Sequence, residues 1–321
     1  MSKKPLLLIT RKLSKNTEAR AARDYDVLLN PDDKLYSPNE LLEKCQGIDA
    51  VLPCHSELFS AALVGQLSDS VKIIANHSVG VDHCDLDALK TKGIVVTNTP
   101  DVLSDATVEI AMLLLLGAAR RASEGDQMVR AGKWSHWSPS FMVGTQVSGK
   151  RIGIVGMGRV GKVMAKRARG FDMEVHYYNR NRLSPNQEEG AIYHDTIDSL
   201  LSVSDFLSLH CPATPDTTGF LTTEKISLLP DGAIIVNTAR GALIDENALI
   251  AALRSGKIAG AGLDVFANEP GGNLEFSTLH NVFMLPHIGS ATYETRDAMG
   301  FRALDNLDAF FSGQEPRDRV A

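Results

Sequence analysis

The sequence has 321 residues, of which 44% are hydrophobic, 6% aromatic and 22% charged, so it can build a sizeable core and lacks the composition of a disordered chain. At about 100–200 residues per domain, this length predicts two domains. The 33 Lys and Arg and the 39 Asp and Glu residues give a formal net charge of -6 and are interspersed along the chain. This pattern, without a basic face or tail, argues against a nucleic-acid-binding protein.

The sequence indicates no membrane span, export signal or metal site. The longest apolar run, residues 110–119, is shorter than the roughly 20 residues that cross a bilayer, so we expect a buried helix there. Arg11 and Lys12 close the N-terminal apolar stretch too early for a signal peptide. The four cysteines form no C-x-x-C pair, which favours reduced thiols in a cytoplasmic protein. His77 and His83 lack an acidic or Cys partner at ligand spacing, so no metal is expected.

Strand-like and helix-like runs alternate along the first hundred residues, an order typical of a parallel sheet covered by helices. The strand-like runs are PLLLIT, VLLN, DAVLPC, KIIANHS and IVVTNT. Ser37 as N-cap, Pro38 at the first helical position and Glu40 form a capping box that marks the start of one helix. A long apolar helix is predicted over about residues 104–121, and an irregular stretch over residues 134–149.

A second series of the same kind begins at RIGIVG and runs through MEVHYYN, FLSLHC, AIIVNT, AGLDVF and VFMLP. The chain therefore predicts two α/β units. A final helical segment, about residues 291–311, could return to the first unit.

A glycine-rich turn follows the first strand of the second series. GMGRVG matches G-x-G-x-x-G, and apolar residues at helical spacing follow it. Glycines at these positions allow a tight turn and close backbone approach, so that a pyrophosphate can lie on the amides of the helix N-terminus. An ordinary strand-to-helix turn without a ligand is the alternative. We expect a dinucleotide to be bound by Gly156, Met157, Gly158, Arg159, Val160 and Gly161.

The residues after the next strand predict the coenzyme. NAD-binding units normally place Asp or Glu there to bind the ribose 2′-hydroxyl. This chain has Asn179-Arg180-Asn181-Arg182 instead, and guanidinium groups pair well with a 2′-phosphate. We therefore expect a preference for NADP(H) over NAD(H), with Asn179, Arg180 and Arg182 as the discriminating residues. The alternative is a solvated loop whose arginines touch nothing.

Three ionisable residues follow the ends of later strands: Arg240 after AIIVNT, Glu269 after AGLDVF and His287 after VFMLP. Since ligands bind beyond the carboxyl ends of parallel strands, these side chains can converge. Arginine can hold a carboxylate, a protonated imidazole can donate to a carbonyl oxygen as hydride arrives, and a carboxylate can orient the imidazole. Singly, they could be a surface charge, a turn residue and a packed histidine.

The sequence resembles the D-isomer-specific 2-hydroxyacid dehydrogenases over nearly its whole length, in the blocks NHSVGVDHCDLDAL, TPDVLSDATVEIAMLLLLGAAR, GIVGMGRVG, NTARGALIDENAL, GAGLDVFANEP and LPHIGSAT. Within that family it is most similar to the glyoxylate/hydroxypyruvate reductases, because of NHSVGVDH, the W-x-x-W of Trp134 and Trp137, and YYNRNRL.

The resemblance implies that Arg240 binds the substrate carboxylate, His287 is the acid/base and Glu269 is its partner. The further substrate contacts it implies are the backbone amides of Ser78, Val79 and Gly80, with Trp137, and Leu52 is a candidate for limiting side-chain size. A plain turn at residues 78–80 and simple packing of Trp137 are the alternatives. The implied coenzyme contacts outside the glycine-rich loop are Thr107, Cys211, Pro212, Thr217, Thr238, Ala239, Arg240, Asp264, His287 and Ser290.

The resemblance also implies an α/β fold of two Rossmann-like, doubly wound parallel-sheet domains with the active site in the cleft between them. The substrate domain would comprise residues 1–98 and 288–321, and the dinucleotide-binding domain residues 99–287. In the reductases the tryptophan matching Trp137 reaches the partner subunit's active site, which implies a homodimer. The expected activity is NADPH-dependent reduction of glyoxylate or hydroxypyruvate to the D-2-hydroxy acid. A dehydrogenase of another D-2-hydroxy acid and a non-catalytic, dinucleotide-sensing corepressor of the same family are the alternatives.

Overall fold

The computed structural model describes residues 4–321, which form two compact α/β units. One comprises residues 4–103 with 290–321, and the other residues 104–289. The chain thus leaves the first unit at 103/104 and re-enters it at 289/290, a few residues beyond the 98/99 and 287/288 expected from the sequence. The N–H of Thr99 donates to the carbonyl of Ser78 at 2.9 Å, which joins the residues after 98 to the first unit. The N–H groups of residues 288 and 289 donate to Asp264, which joins them to the second.

The first unit is a five-stranded parallel sheet in the order β2-β1-β3-β4-β5, an order found in doubly wound folds. Its strands are β1 Leu6–Ile9, β2 Asp26–Leu28, β3 Ala50–Leu52, β4 Ile73–Ala75 and β5 Val95–Thr97. Its helices are α1 Lys15–Asp24, α2 Pro38–Lys44, α3 Ala61–Gln66, α4 Leu86–Thr91 and, from the end of the chain, α12 Tyr293–Phe311.

Local sequence signals fix several of these elements. The capping box predicted at Ser37 is confirmed, since its hydroxyl accepts the N–H of Glu40 while the Glu40 carboxylate accepts the N–H of Ser37. The final helix packs on α1 and β4, so its predicted return to the first unit is also confirmed. Ala303, Leu304 and Leu307 of α12 are fully buried in that core.

The second unit is a seven-stranded parallel sheet in the order β12-β11-β10-β9-β6-β7-β8. Its strands are β6 Arg151–Val155, β7 Glu174–Tyr178, β8 Ile192–His194, β9 Phe206–Leu209, β10 Ala233–Asn237, β11 Ile258–Leu263 and β12 Val282–Met284. Its α-helices are α5 Ser104–Ala119, α6 Ala122–Arg130, α7 Arg159–Arg169, α8 Pro185–Glu188, α9 Ile197–Val203, α10 Thr223–Leu228 and α11 Glu246–Ser255, and short 3-10 helices cover Gly241–Leu243 and Leu274–Thr278. The order reverses between β6 and β9, as in dinucleotide-binding folds. The predicted fold class is therefore confirmed.

The apolar run at residues 110–119 lies in α5, which is largely buried against the sheet, as expected. In residues 4–321 no helix is long and apolar enough to cross a membrane. The helix predicted over 104–121 ends at Ala119, because Arg121 has a left-handed φ of 56° and precedes the separate helix α6. The irregular stretch at 134–149 is confirmed.

Candidate active site

The glycine-rich loop joins β6 to α7, as its sequence predicts. Gly156 has a φ of 95°, and a Cβ there would lie 2.6 Å from the backbone nitrogen of Cys211. A Cβ at Gly161 would lie 2.2 Å from the carbonyl oxygen of Gly156, so glycine keeps the helix close to the loop. At Gly158, by contrast, a Cβ would meet no atom of the described residues within 4 Å. The backbone of Gly158 is therefore open to a ligand.

The first turn of α7 offers its amides to the same space. It contains Arg159, Val160 and Gly161, and no side chain among the described residues caps it. Uncapped N–H groups and the positive end of the helix dipole favour a phosphate. The N–H of Met157 is already used, because it donates to Oδ1 of Asn179 at 2.7 Å.

A cavity of about 540 Å³ opens beside this loop, at the reversal of strand order where open α/β sheets bind ligands. The predicted coenzyme residues in its wall are Gly156, Gly158, Asn179, Arg180, Cys211, Pro212 and Thr217. Sequence reasoning missed others, among them Tyr178, Ile197, His210, Thr214, Asp216 and Phe220. Two of them could have been found by position, since Tyr178 ends β7 and His210 directly follows β9.

Burial keeps two of these groups neutral near pH 7. It raises the pKa of the Cys211 thiol to about 11 and lowers the pKa of His210 to about 4. The charged groups of the wall are then Arg180 and Asp216. A ligand phosphate entering this cavity meets one guanidinium in its lining.

Arg182 is placed differently from Arg180. Within the described residues the cavity wall includes Arg180 but not Arg182. The Arg182 guanidinium donates to the Glu188 carboxylate at 2.7 and 3.2 Å and stacks on the ring of Tyr193. The sequence could not show this, because Glu188 belongs to a different element.

Two predicted coenzyme contacts are buried threonines. The hydroxyl of Thr238 is buried and has no hydrogen-bond partner in residues 4–321. Orphaned buried hydroxyls are rare in native proteins, and a bound group would complete this one. Thr107 lies in the first turn of α5. Its methyl carbon packs close to Gly289, at 3.5 Å from where a Cβ would lie if residue 289 had one. Together with the open glycine loop, these features fit a dinucleotide.

Arg240 lies in the turn after β10, next to Ala239. The buried Asn237 holds this turn, since its Nδ2 donates to the Arg240 carbonyl at 2.8 Å and its Oδ1 accepts the Ala239 N–H at 3.0 Å. Gly241 packs so tightly on Phe266 that a Cβ would lie 1.9 Å from its carbonyl carbon. Asn237 was missed from the sequence, although a polar residue at the end of an apolar strand was a usable signal.

Phe266 also contacts Glu269, which in turn pairs with His287. Oε1 of Glu269 accepts the Phe266 N–H at 2.8 Å, and Oε2 lies 2.5 Å from Nδ1 of His287. The side chains are 25% and 30% exposed, so the pair is partly desolvated and reachable by a small molecule. Within the second unit, the turn that carries Arg240 therefore packs on Phe266 through Gly241, and Phe266 in turn contacts Glu269, which pairs with His287.

Asp264, directly after β11, holds the turn that carries the histidine. The Asp264 carbonyl accepts the His287 N–H at 2.8 Å, and its carboxylate accepts the N–H groups of Ile288 at 2.8 Å and Gly289 at 2.7 Å. His287 itself has a left-handed φ of 52°. Burial raises the pKa of Asp264, which is 1% exposed, and these backbone donors act in the opposite direction.

In the first unit, the predicted substrate amides lie in a loop after β4. The carbonyls of this loop all accept hydrogen bonds: that of Gly80 from Ser78 Oγ, that of Val79 from the Asn98 side chain at 2.8 Å and that of Ser78 from the Thr99 N–H at 2.9 Å. Over the described residues, the N–H groups of Ser78, Val79 and Gly80 donate no hydrogen bond. Successive amides of this kind can bind a carboxylate.

The remaining predicted residues have varied surroundings. Leu52 ends β3 and is fully buried in the core of the first unit. Ser290 also lies in the first unit, where its carbonyl accepts the Thr292 N–H. Trp137 lies in the irregular stretch of the second unit and is 76% exposed.

Comparison with known proteins shows which family this chain belongs to. Residues 112–289 match the family model of the D-isomer specific 2-hydroxyacid dehydrogenase, NAD binding domain. The whole chain is 45% identical to the glycerate dehydrogenase of Hyphomicrobium methylovorum, over 98% of each chain. The chain belongs to the D-isomer-specific 2-hydroxyacid dehydrogenases. The resemblance predicted from the sequence is thereby confirmed, and the protein is an oxidoreductase with an NAD-binding domain.

Two further relatives of this dehydrogenase are informative. The glyoxylate reductase of Thermococcus litoralis is 43% identical, over 99% of this chain and 97% of its own. The crystal structure of an NADPH-dependent glyoxylate/hydroxypyruvate reductase from Sinorhizobium meliloti, in complex with NADP and malonate, is similar with a TM-score of 0.88 and 30% identity, covering 99% of this chain and 97% of that one.

Proposed function

We propose that this dehydrogenase reduces glyoxylate or hydroxypyruvate with NADPH, giving glycolate or D-glycerate. The observation that carries the proposal is the hydrogen-bonded pair of His287 and Glu269, held on the same unit as the open glycine-rich loop. A bound reduced nicotinamide supplies hydride. Every other step is assigned to side chains and amides of this chain.

In this proposal, His287 gives a proton to the substrate carbonyl oxygen as hydride reaches the carbonyl carbon. Glu269 keeps the imidazole in a fixed orientation, because its carboxylate accepts from Nδ1. Arg240 binds the substrate carboxylate and its adjacent carbonyl. The amides of residues 78–80 and the exposed Trp137 are further proposed substrate contacts.

The NADPH preference rests on the residues after β7. Asn179 occupies the position where NAD-binding units normally have Asp or Glu, a carboxylate that would repel a 2′-phosphate. Arg180 provides a guanidinium group in the cavity wall. The relative from Sinorhizobium meliloti is named as NADPH-dependent, which supports the same preference here. The remaining predicted coenzyme residues, including Ser290, belong to this proposal as well.

Homodimer formation and a cytoplasmic location are part of the proposal. The strongly exposed Trp137 suits a residue that completes the site of a second copy. All four cysteines are free thiols, which suits a reducing compartment.

The hydroxypyruvate and D-glycerate couple deserves equal weight with glyoxylate, because the relative from Hyphomicrobium methylovorum is named a glycerate dehydrogenase. The test is a panel of glyoxylate, hydroxypyruvate and pyruvate with each reduced coenzyme. The proposal predicts the highest kcat/KM with NADPH and one of the first two acids. A preference for pyruvate or a bulkier oxo acid would contradict the substrate assignment, and equal use of NADH would contradict the coenzyme assignment.

A further inference from the structure

We propose that Glu188 is a positioning residue for coenzyme selectivity, which pairs with Arg182 and so fixes the loop of residues 179–183 with Arg180 facing the 2′-phosphate. This inference rests on the proposed NADPH preference. The two arginines of the loop then have different roles: Arg180 binds the 2′-phosphate and Arg182 holds the loop.

Arg182 pairs with the buried carboxylate of Glu188. The Glu188 side chain is 10% exposed, whereas the Arg182 side chain is 61% exposed. The guanidinium approaches Glu188 through Nε and Nη2, so that two donors meet two carboxylate oxygens. This pairing keeps the pKa of Glu188 below its ordinary value. A buried, ionised acid with a two-point partner fixes the direction of the Arg182 side chain.

Tyr177 ties the same acid to the loop backbone. Its hydroxyl donates to Oε1 of Glu188 at 2.7 Å and accepts the N–H of Leu183 at 3.1 Å. Tyr177 is fully buried in β7, directly before the loop. The C-terminal end of the loop is therefore held both through the Arg182 side chain and through the Leu183 backbone.

The other end of the loop is held by Asn179. Its Oδ1 accepts the Met157 N–H at 2.7 Å, which joins the start of the loop to the glycine-rich turn. With both ends fixed, the free span is Arg180 and Asn181, and both line the cavity.

Arg180 has the properties expected of the residue that binds the 2′-phosphate. It is exposed, lies in the cavity wall and makes no hydrogen bond or ion pair with any residue of the 4–321 range. Its guanidinium is thus available to a ligand, whereas that of Arg182 is engaged. Because a fixed loop limits the orientations of Arg180, less entropy is lost when a phosphate binds.

The test measures binding of two probes, 2′,5′-ADP and 5′-AMP, by isothermal titration calorimetry at fixed ionic strength. They differ in the 2′-phosphate, so their affinity ratio reports its recognition. The variants are Arg180→Gln, Arg182→Gln, Glu188→Gln and the double variant Arg180→Gln/Glu188→Gln. Glu275→Gln is the matched control, since it removes an ion pair with Arg254 in the same unit.

Arg180→Gln should weaken 2′,5′-ADP by roughly tenfold or more, the effect of losing a charge-assisted contact, and leave 5′-AMP unchanged. Glu188→Gln and Arg182→Gln should each weaken 2′,5′-ADP by about three- to tenfold, because the contact is loosened and not removed. In the Arg180→Gln background, Glu188→Gln should have no further effect. The control should match the wild type.

Three results would overturn the role of Glu188. The first is that Glu188→Gln weakens the binding of both probes equally. The second is that Glu188→Gln weakens 2′,5′-ADP binding by the same factor in the Arg180→Gln background as in the wild type. The third is that Arg182→Gln greatly weakens 2′,5′-ADP binding whereas Arg180→Gln does not. Arg182→Gln keeps the test valid if Glu188→Gln does not fold. A wild type that binds 2′,5′-ADP no more tightly than 5′-AMP would instead overturn the NADPH preference itself, whereas strong discrimination that survives Glu188→Gln overturns only the inference.

Discussion

Replacing Asp264 by Asn tests how the turn that carries His287 is held. Asn has nearly the same shape, but it keeps one acceptor oxygen and turns an NH2 group toward a backbone N–H. In the native turn the two oxygens accept from Ile288 and Gly289 at 2.8 and 2.7 Å. The substitution therefore leaves one of these N–H groups facing a donor.

The expected loss of activity follows from this geometry. A buried N–H without an acceptor costs about 1–3 kcal/mol. The left-handed φ of 52° at His287 costs roughly 1–3 kcal/mol more wherever the surroundings no longer impose it. A catalytic group displaced by about 1 Å can lose roughly 100-fold in rate, so we expect kcat for oxo-acid reduction to fall about 100-fold.

Stability should change far less than activity. Burial raises the pKa of Asp264, so removing its charge relieves a desolvation penalty while the hydrogen bond is lost. These effects oppose each other, and we expect Tm to move by no more than about 4 °C.

Steady-state kinetics and thermal unfolding of Asp264→Asn would be compared with Asp245→Asn. Asp245 also accepts two backbone N–H groups, at 3.0 and 3.1 Å, but it caps α11, where Asn is an equally good cap. The control should retain both kcat and Tm. A wild-type kcat in Asp264→Asn, or an effect confined to the KM of the coenzyme, would refute the positioning role.

Three other changes have defined outcomes. Gly161→Ala places a Cβ 2.2 Å from the Gly156 carbonyl, so NADPH binding measured by fluorescence should weaken at least about tenfold, and unchanged binding would count against the loop geometry. Burial, with the Arg296 charge nearby, lowers the pKa of His77 to about 4. The neutral imidazole therefore contributes fully to stability above the unfolded pKa of about 6.5, and this contribution is lost as the pH falls toward 4. The unfolding free energy should then drop by about 2 kcal/mol more between pH 7 and pH 5 in the wild type than in His77→Gln, and equal drops in denaturant titrations would disprove it. Trp137→Ala should raise the substrate KM about tenfold if the indole contacts substrate, and an unchanged KM would remove it from the site.

The parts of the fold that the sequence predicts correctly depend on local requirements. The glycines at 156 and 161 are needed because the backbone itself leaves no space for a Cβ, so residue identity reports the geometry directly. The capping box of Ser37 and Glu40 is similarly local. In contrast, β8 is three residues long and begins with the exposed Ile192, so it has little apolar pattern to reveal it.

Pairings between side chains of different elements are the part that the sequence does not reveal. Two arginines after β7 look equivalent as charges, but a buried acid in α8 engages Arg182 and leaves Arg180 in the cavity wall. Likewise, the sequence shows Asp264 as a residue after a strand, whereas its hydrogen bonds to the 287–289 turn depend on how β11 and that turn meet. Such partners are fixed by tertiary packing, which charge and periodicity do not encode.

The most direct test of the proposed function is the initial rate of NADPH oxidation with glyoxylate and with hydroxypyruvate, measured for the wild type and for His287→Ala, with NADH as the comparison coenzyme. We expect rapid turnover with NADPH, slower turnover with NADH, and a loss of at least about 100-fold in kcat when the imidazole is removed, because no other group is proposed to supply the proton. Undiminished turnover by His287→Ala, or no turnover of either acid by a wild type that binds NADPH, would contradict the proposed function.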